Sequence, residues 1–143
     1  MDKNLLKKSS LKFIDFIIAD LTIERDPNYS LNGEIDLSIN PSGIYNKLEN
    51  TYQLSLVIEV SDDKKGFKIL AKAIGFFEIK PGEDENNLSN YFYTNAPAIM
   101  FPYIRSYISA ITALSNLETV NLPIMNLSLL KTSLKENTSI IDT

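Results

Sequence analysis

The run Tyr52-Gln53-Leu54-Ser55-Leu56-Val57-Ile58-Glu59-Val60, with its sequel at residues 67–79, decides the fold. Tyr52, Leu54, Leu56, Ile58 and Val60 alternate with Gln53, Ser55 and Glu59, which is the period of a half-buried strand. Asp62-Asp63-Lys64-Lys65-Gly66 is a polar turn that closes on glycine, and residues 67–79 return as the partner of an antiparallel hairpin. Adjacent strand residues face opposite sides, so one of Phe76 and Phe77 belongs to the core and the other is exposed unless something covers it.

Upstream, residues 34–40 alternate as cleanly, with Ile35, Leu37 and Ile39 against Glu34, Asp36 and Ser38, until Pro41-Ser42-Gly43 ends or bends the strand. Residues 11–24 form the first strand. Leu11, Phe13, Ile17, Ala19, Leu21 and Ile23 share one face and Ile14, Phe16 and Ile18 the other, so part of it is expected to be covered on both sides. Asp26-Pro27-Asn28 breaks it. Downstream, the acidic residues 81–90 read as an exposed loop, and then the period changes. Asn95 suits an N-cap and Pro97 the first helical turn. Met100, Ile104, Ile108 and Ile111 make one stripe, and Tyr103, Tyr107, Ala110 and Leu114 a second, leaving only Arg105, Ser106, Ser109 and Thr112 polar. Pro102 should kink or loosen this helix. A sheet covers one stripe, so the other leads us to expect self-association through this helix. A short helix at 126–135 carries Leu127, Leu130 and Leu134 at i, i+3 and i+7. Four strands and then two helices predict one α+β domain over 1–143 with a four-stranded antiparallel sheet, residues 1–10 and 136–143 being flexible.

The composition narrows the chemistry. Among 143 residues there is no cysteine and no histidine, which removes disulfides, thiolate zinc sites and imidazole acid–base work. Hydrophobic residues make up 44%, enough for a globular core, and the net charge of −4 argues against a nucleic-acid surface. The same acidity speaks against base stacking by Phe76-Phe77 or Tyr91-Phe92-Tyr93. No phosphate-cradling glycine motif is present. The acid clusters Asp62-Asp63 and Glu83-Asp84-Glu85 lack the alternate ligands of a calcium loop. Asp20 and Glu24 read as a solvated strand rim. We therefore expect no enzyme, no cofactor and no metal. Arg105, Pro97 and Pro102 argue against a membrane span at 96–114, and Asp15 and Asp20 against a signal peptide at the start, so the cytoplasm is the expected compartment.

Asn95-Ala96-Pro97-Ala98-Ile99-Met100-Phe101-Pro102-Tyr103-Ile104-Arg105 resembles the first-helix motif of the SecB family of protein-export chaperones, with Phe-Pro-Tyr-x-Arg its most specific part. Leu122-Pro123-Ile124-Met125-Asn126-Leu127, Asp20-Leu21-Thr22-Ile23-Glu24 and Gly75-Phe76-Phe77-Glu78-Ile79 are similar in type to further family segments. The resemblance runs from about Leu11 to about Leu134. It implies an ATP-independent holdase that binds unfolded, export-bound chains and assembles as a dimer of dimers. By position, Ile69, Ala71 and Ala73 match the family's tetramer face, and Ile104, Tyr107, Ile108 and Ile111 its helix interface. Plain core packing is the competing reading of that strand face. A groove between the last helix and the Ile35, Leu37 and Ile39 face would receive clients, with Leu127, Leu130 and Leu134 on its helical side. Ordinary packing of that helix on the sheet is the competing reading for each of the three leucines. The resemblance also implies docking on the SecA motor through acidic residues. Asp20 and Glu24 match two of them, but Leu70 stands where a third acid belongs. These departures suit a divergent member, one dedicated to a particular client such as an antitoxin. A carrier of a small apolar ligand is the alternative in another class.

Overall fold

The computed structural model describes residues 11–28, 34–62, 66–80, 90–115 and 118–142. The predicted loops at 29–33, 63–65 and 81–89, and the segment 1–10, lie outside these residues. Strands β1 (Leu11–Arg25), β2 (Ile35–Asn46), β3 (Thr51–Asp62) and β4 (Phe67–Ile79) precede helix α1 (Asn90–Leu114). A 3-10 turn (Leu127–Leu130), helix α2 (Lys131–Glu136) and strand β5 (Thr138–Ile141) complete the order.

The sheet order is β1-β4-β3-β2-β5. The hairpin β3–β4 is antiparallel as expected, with Leu56 opposite Ala73 and Val60 opposite Ile69. Four strands are thus the antiparallel set predicted, and the sheet has a fifth. The tail expected to be flexible forms β5, parallel to β2 with Gly43 opposite Thr138 and Asn46 opposite Ile141. Side-chain hydrogen bonds hold it: Thr138 Oγ1 donates to the Leu134 carbonyl at 2.7 Å and lies 2.7 Å from the Tyr52 hydroxyl. Strand β2 runs through Pro41-Ser42-Gly43 to Asn46 rather than stopping there. Gly43 serves that path, because a Cβ there would run into the Tyr52 ring.

Strand β1 departs most from its sequence reading. Its register against β4 slips between Phe13 and Asp15 and again between Ile18 and Asp20. Each slip is a β-bulge that inserts one residue, Ile14 and then Ala19, and so reverses the facing of the residues after it. The inward set is therefore Leu11, Phe13, Phe16, Ile18, Leu21 and Ile23. Ile17 and Ala19, expected on the face of Leu11, point away from it.

Helix α1 starts five residues before the expected cap at Asn95 and carries Pro97 and Pro102 within 25 helical residues. Met100, Ile104 and Ile108 are fully buried, as their stripe predicts. Met100 lies over Gly75, where a Cβ would come within 2.7 Å of its Sδ. Three residues that looked like a polar back are a clamp. Arg105 Nε donates to the Leu122 carbonyl at 3.1 Å, and Ser109 Oγ to the Val120 carbonyl at 3.1 Å. Thr112 Oγ1, wholly buried, accepts from the Val120 N–H at 3.0 Å and donates back to the Ile108 carbonyl at 2.8 Å. Together they lay the connecting segment against α1, with Val120 and Leu122 sealed beneath it.

Candidate functional site

One helix is about 10–12 Å across, whereas five strands span four spacings of about 4.8 Å, roughly 19 Å. A single long helix therefore cannot seal the whole inner face. The burial reflects this geometry. On the central strands, Leu54, Leu56, Ile58 and Val60 of β3 and Ile69, Ala71 and Ala73 of β4 have no exposure. On the flanking strands, Leu21 and Ile23 of β1 and Ile35, Leu37 and Ile39 of β2 are only partly buried against that core. Two apolar margins thus remain half open. In β2, Leu37 stands opposite Val60 and Ile39 opposite Ile58, so the margin continues the core surface without a step. Ile35 stands opposite Asp62, whose buried carboxylate has no hydrogen-bond partner among the described residues.

The expected client-binding residues divide. Ile35, Leu37 and Ile39 lie on the β2 margin. Leu130 is half-buried beside the core, while Leu127 and Leu134 are inside it and anchor the 3-10 turn and α2. Asn126 caps that turn through its side chain, which accepts from the Ser128 N–H at 3.2 Å. The outward residues here are ones the sequence reading did not single out: Ile124, Met125 and Leu129 are exposed. Ile124 and Met125, with Phe101, Pro102 and Arg105 of α1, line an open cleft of about 310 Å³. Their excess of apolar residues just after Pro123 was the available signal.

The expected interface residues divide in the same way. Ile69, Ala71, Ala73, Ile104 and Ile108 have no exposed area in the chain and are core, so the surface a neighbour could meet is Tyr107, Ile111 and the stripe they border. On that stripe Tyr103 packs its ring 5.0 Å from Phe13 and 5.8 Å from Phe16 yet stays half exposed, and Leu114 is 82% exposed. Phe101 of the Phe-Pro-Tyr-x-Arg motif fills the core, so the motif joins core, strand β1 and connecting segment.

Asp20 and Glu24 lie on the opposite, outer face, in register with Lys72 and Lys68. Phe92 and Tyr93 are core residues, and of the Phe76-Phe77 pair Phe77 is the buried member. Burial holds the Tyr52 phenol well above the ordinary tyrosine range, against the opposing hydrogen bond to Thr138, and raises Tyr93 likewise. No helix among the described residues is long and apolar enough to cross a membrane.

Residues 13–136 match the family profile described as Preprotein translocase subunit SecB. The uncharacterized protein MJ0357 of Methanocaldococcus jannaschii is 31% identical over 131 residues, covering 88% of this chain and 81% of its own length. A solved structure, the Mycobacterium tuberculosis Rv1957 SecB-like chaperone in complex with a ChAD peptide from the Rv1956 HigA1 antitoxin, has the same fold. Its TM-score is 0.67 at 15% identity, over 81% of this chain and 88% of that one. With the profile spanning nearly the whole domain and the sheet-and-helix architecture agreeing with it, this chain belongs to the SecB family.

Proposed function

We propose that this chain is a molecular chaperone that holds unfolded or export-bound chains without nucleotide, in the cytoplasm. One observation carries the reading: the β2 margin of Ile35, Leu37 and Ile39 is apolar, half open and continuous with the core. An unfolded segment offers hydrophobic side chains that such a margin can cover. Each contact is weak and tolerant of sequence, and several margins on one oligomer raise avidity. Holding the unfolded state needs only mass action. Ile124, Met125 and Leu129 offer further exposed apolar side chains before and within the 3-10 turn. Assembly into a dimer of dimers would use the outer stripe of α1. The peptide held by the mycobacterial relative supports a dedicated client, such as an antitoxin, as one form of this activity. Docking on SecA would fall to Asp20 and Glu24 on the outer face, where Lys68, Leu70 and Lys72 lie across from them.

Light scattering of an unfolded client with equimolar chaperone tests the reading. The wild-type chain slows aggregation equally with and without ATP. Leu37→Ser with Ile39→Ser weakens that protection about tenfold. Full burial of such a side chain gives about 1.5–3 kcal/mol, a half-open site gives less, and about 1.4 kcal/mol is tenfold in affinity. Aggregation at an unchanged rate for several clients would refute the proposal.

A further inference from the structure

We infer that the free edge of β2 takes up a client segment as an added strand, so that the sheet itself grips the client's backbone. This rests on the chaperone reading above and names how the β2 margin holds its client. The sheet ends on β1 at one side and on β2 and β5 at the other. Strand β5 covers only part of its side. It pairs with β2 from Gly43 to Asn46, whereas β3 pairs with β2 along its whole length from Ile35 to Asn46. Residues 35–42 therefore have a strand on one side and, among the described residues, none on the other.

The bonds to the tail fix which backbone groups face this edge. The Gly43 N–H donates to the Asn137 carbonyl at 3.1 Å and the Lys47 N–H to the Ile141 carbonyl at 2.8 Å. Odd-numbered residues thus turn their N–H and C=O toward the edge, and even-numbered ones toward β3. The ladder with β3 has no slip, so the same phase holds back to Ile35. Ile35, Leu37 and Ile39 therefore present backbone groups to the open edge, while Asp36, Ser38 and Asn40 direct theirs to β3. Pro41 has no N–H to offer, and it separates the stretch that β5 occupies from the stretch that is open. The same three residues thus carry a half-open apolar side chain and an open backbone edge. The opposite edge differs: β1 carries two bulges, which spoil an edge as a template for pairing.

The partner that fits is an extended stretch of unfolded chain with apolar side chains at every second position. Those side chains lie beside Ile35, Leu37 and Ile39 on the inner face, and the intervening ones beside Asp36, Ser38 and Asn40 on the outer face. Main-chain bonds supply affinity that does not depend on the client's sequence, and the alternate side chains add selectivity. A client proline at an amide turned toward β2 breaks the ladder.

Residue-resolved hydrogen exchange by NMR tests this, with reduced, carboxymethylated α-lactalbumin as the unfolded client. In the full chain alone, the Leu37 and Ile39 amides exchange fast and those of Ser38 and Asn40 slowly. Saturating client slows Leu37 and Ile39 by about tenfold or more. Leu37→Pro removes an edge donor and leaves the β3 ladder intact. It binds the client about fivefold more weakly than Leu37→Ala does, the worth of one net hydrogen bond. The buried Ile58 and Ile69 methyls report that both variants keep the fold. Two results overturn the inference alone. In one, client shifts the Ile35 and Ile39 methyls while the Leu37 and Ile39 amides keep exchanging fast, so that the margin holds clients by side chains only. In the other, Leu37→Pro and Leu37→Ala bind alike. Methyls and amides that both stay unchanged at saturating client contradict the chaperone reading of the margin as well.

Discussion

Thr112 shows how much one hydroxyl can hold. It is wholly buried inside a helix interior, accepts from the Val120 N–H and returns its own proton to the Ile108 carbonyl. Thr112→Val keeps the shape and removes the acceptor, stranding a buried N–H. That costs about 1–3 kcal/mol, and urea unfolding should show a lower midpoint at an unchanged slope. Tyr52 gives a pH signature. Its phenol is raised in the folded chain, so above the unfolded value of about 10 the unfolded state releases a proton that the folded state keeps. Stability is then full below about pH 10 and falls above it. Tyr93 adds to the same loss. Unfolding midpoints at pH 8 and pH 10.5 should differ, and Tyr52→Phe should flatten the difference while losing the bond to Thr138.

The β1 bulges belong to the scale of the element. A side-chain period of two reads a strand correctly only while the ladder is regular. In β3 and β4 it is, and every inward residue from Tyr52 to Val60 was legible. In β1, one extra residue at Ile14 and another at Ala19 reverse the facing twice, and no local residue type announces them. Deleting Ala19 therefore removes the second bulge and leaves Ile18 opposite Ala73 and Asp20 opposite Lys72, so the inward set is kept. Deleting Ile17, inside the paired run, instead turns Phe13 and Phe16 outward or slides the strand. A cooperative unfolding transition is expected to survive the Ala19 deletion and to be lost on deleting Ile17, both monitored by circular dichroism. Strand β5 escaped the sequence reading for another reason: four residues have too little pattern, and Thr138 is fixed by Tyr52, 86 positions away. The helix start was hidden because Pro97 resembles a first-turn proline, whereas Phe92 and Tyr93, core residues, extend the helix before it.

For the whole molecule, the mismatch between one helix and a five-stranded sheet organises the surface. The centre of the inner face is sealed and its margins are not. Ile35, Leu37 and Ile39 could be named from alternation alone, since the β2 ladder is regular. Whether Leu127, Leu130 and Leu134 face a client or the core could not, because helical spacing gives the apolar side of α2 but not what lies beneath it. The same holds for Ile69, Ala71 and Ala73, whose small side chains suit close approach by a neighbour or by the chain's own helix. A chaperone that works through the margin should bind by the helix side of the sheet at β2. Methyl NMR during titration with an unfolded client measures this directly. The account predicts that Ile35, Leu37 and Ile39 shift with saturation while Ile14 and Ile17 on the outer face do not. Shifts confined to the outer face, or none at saturating client, would contradict it.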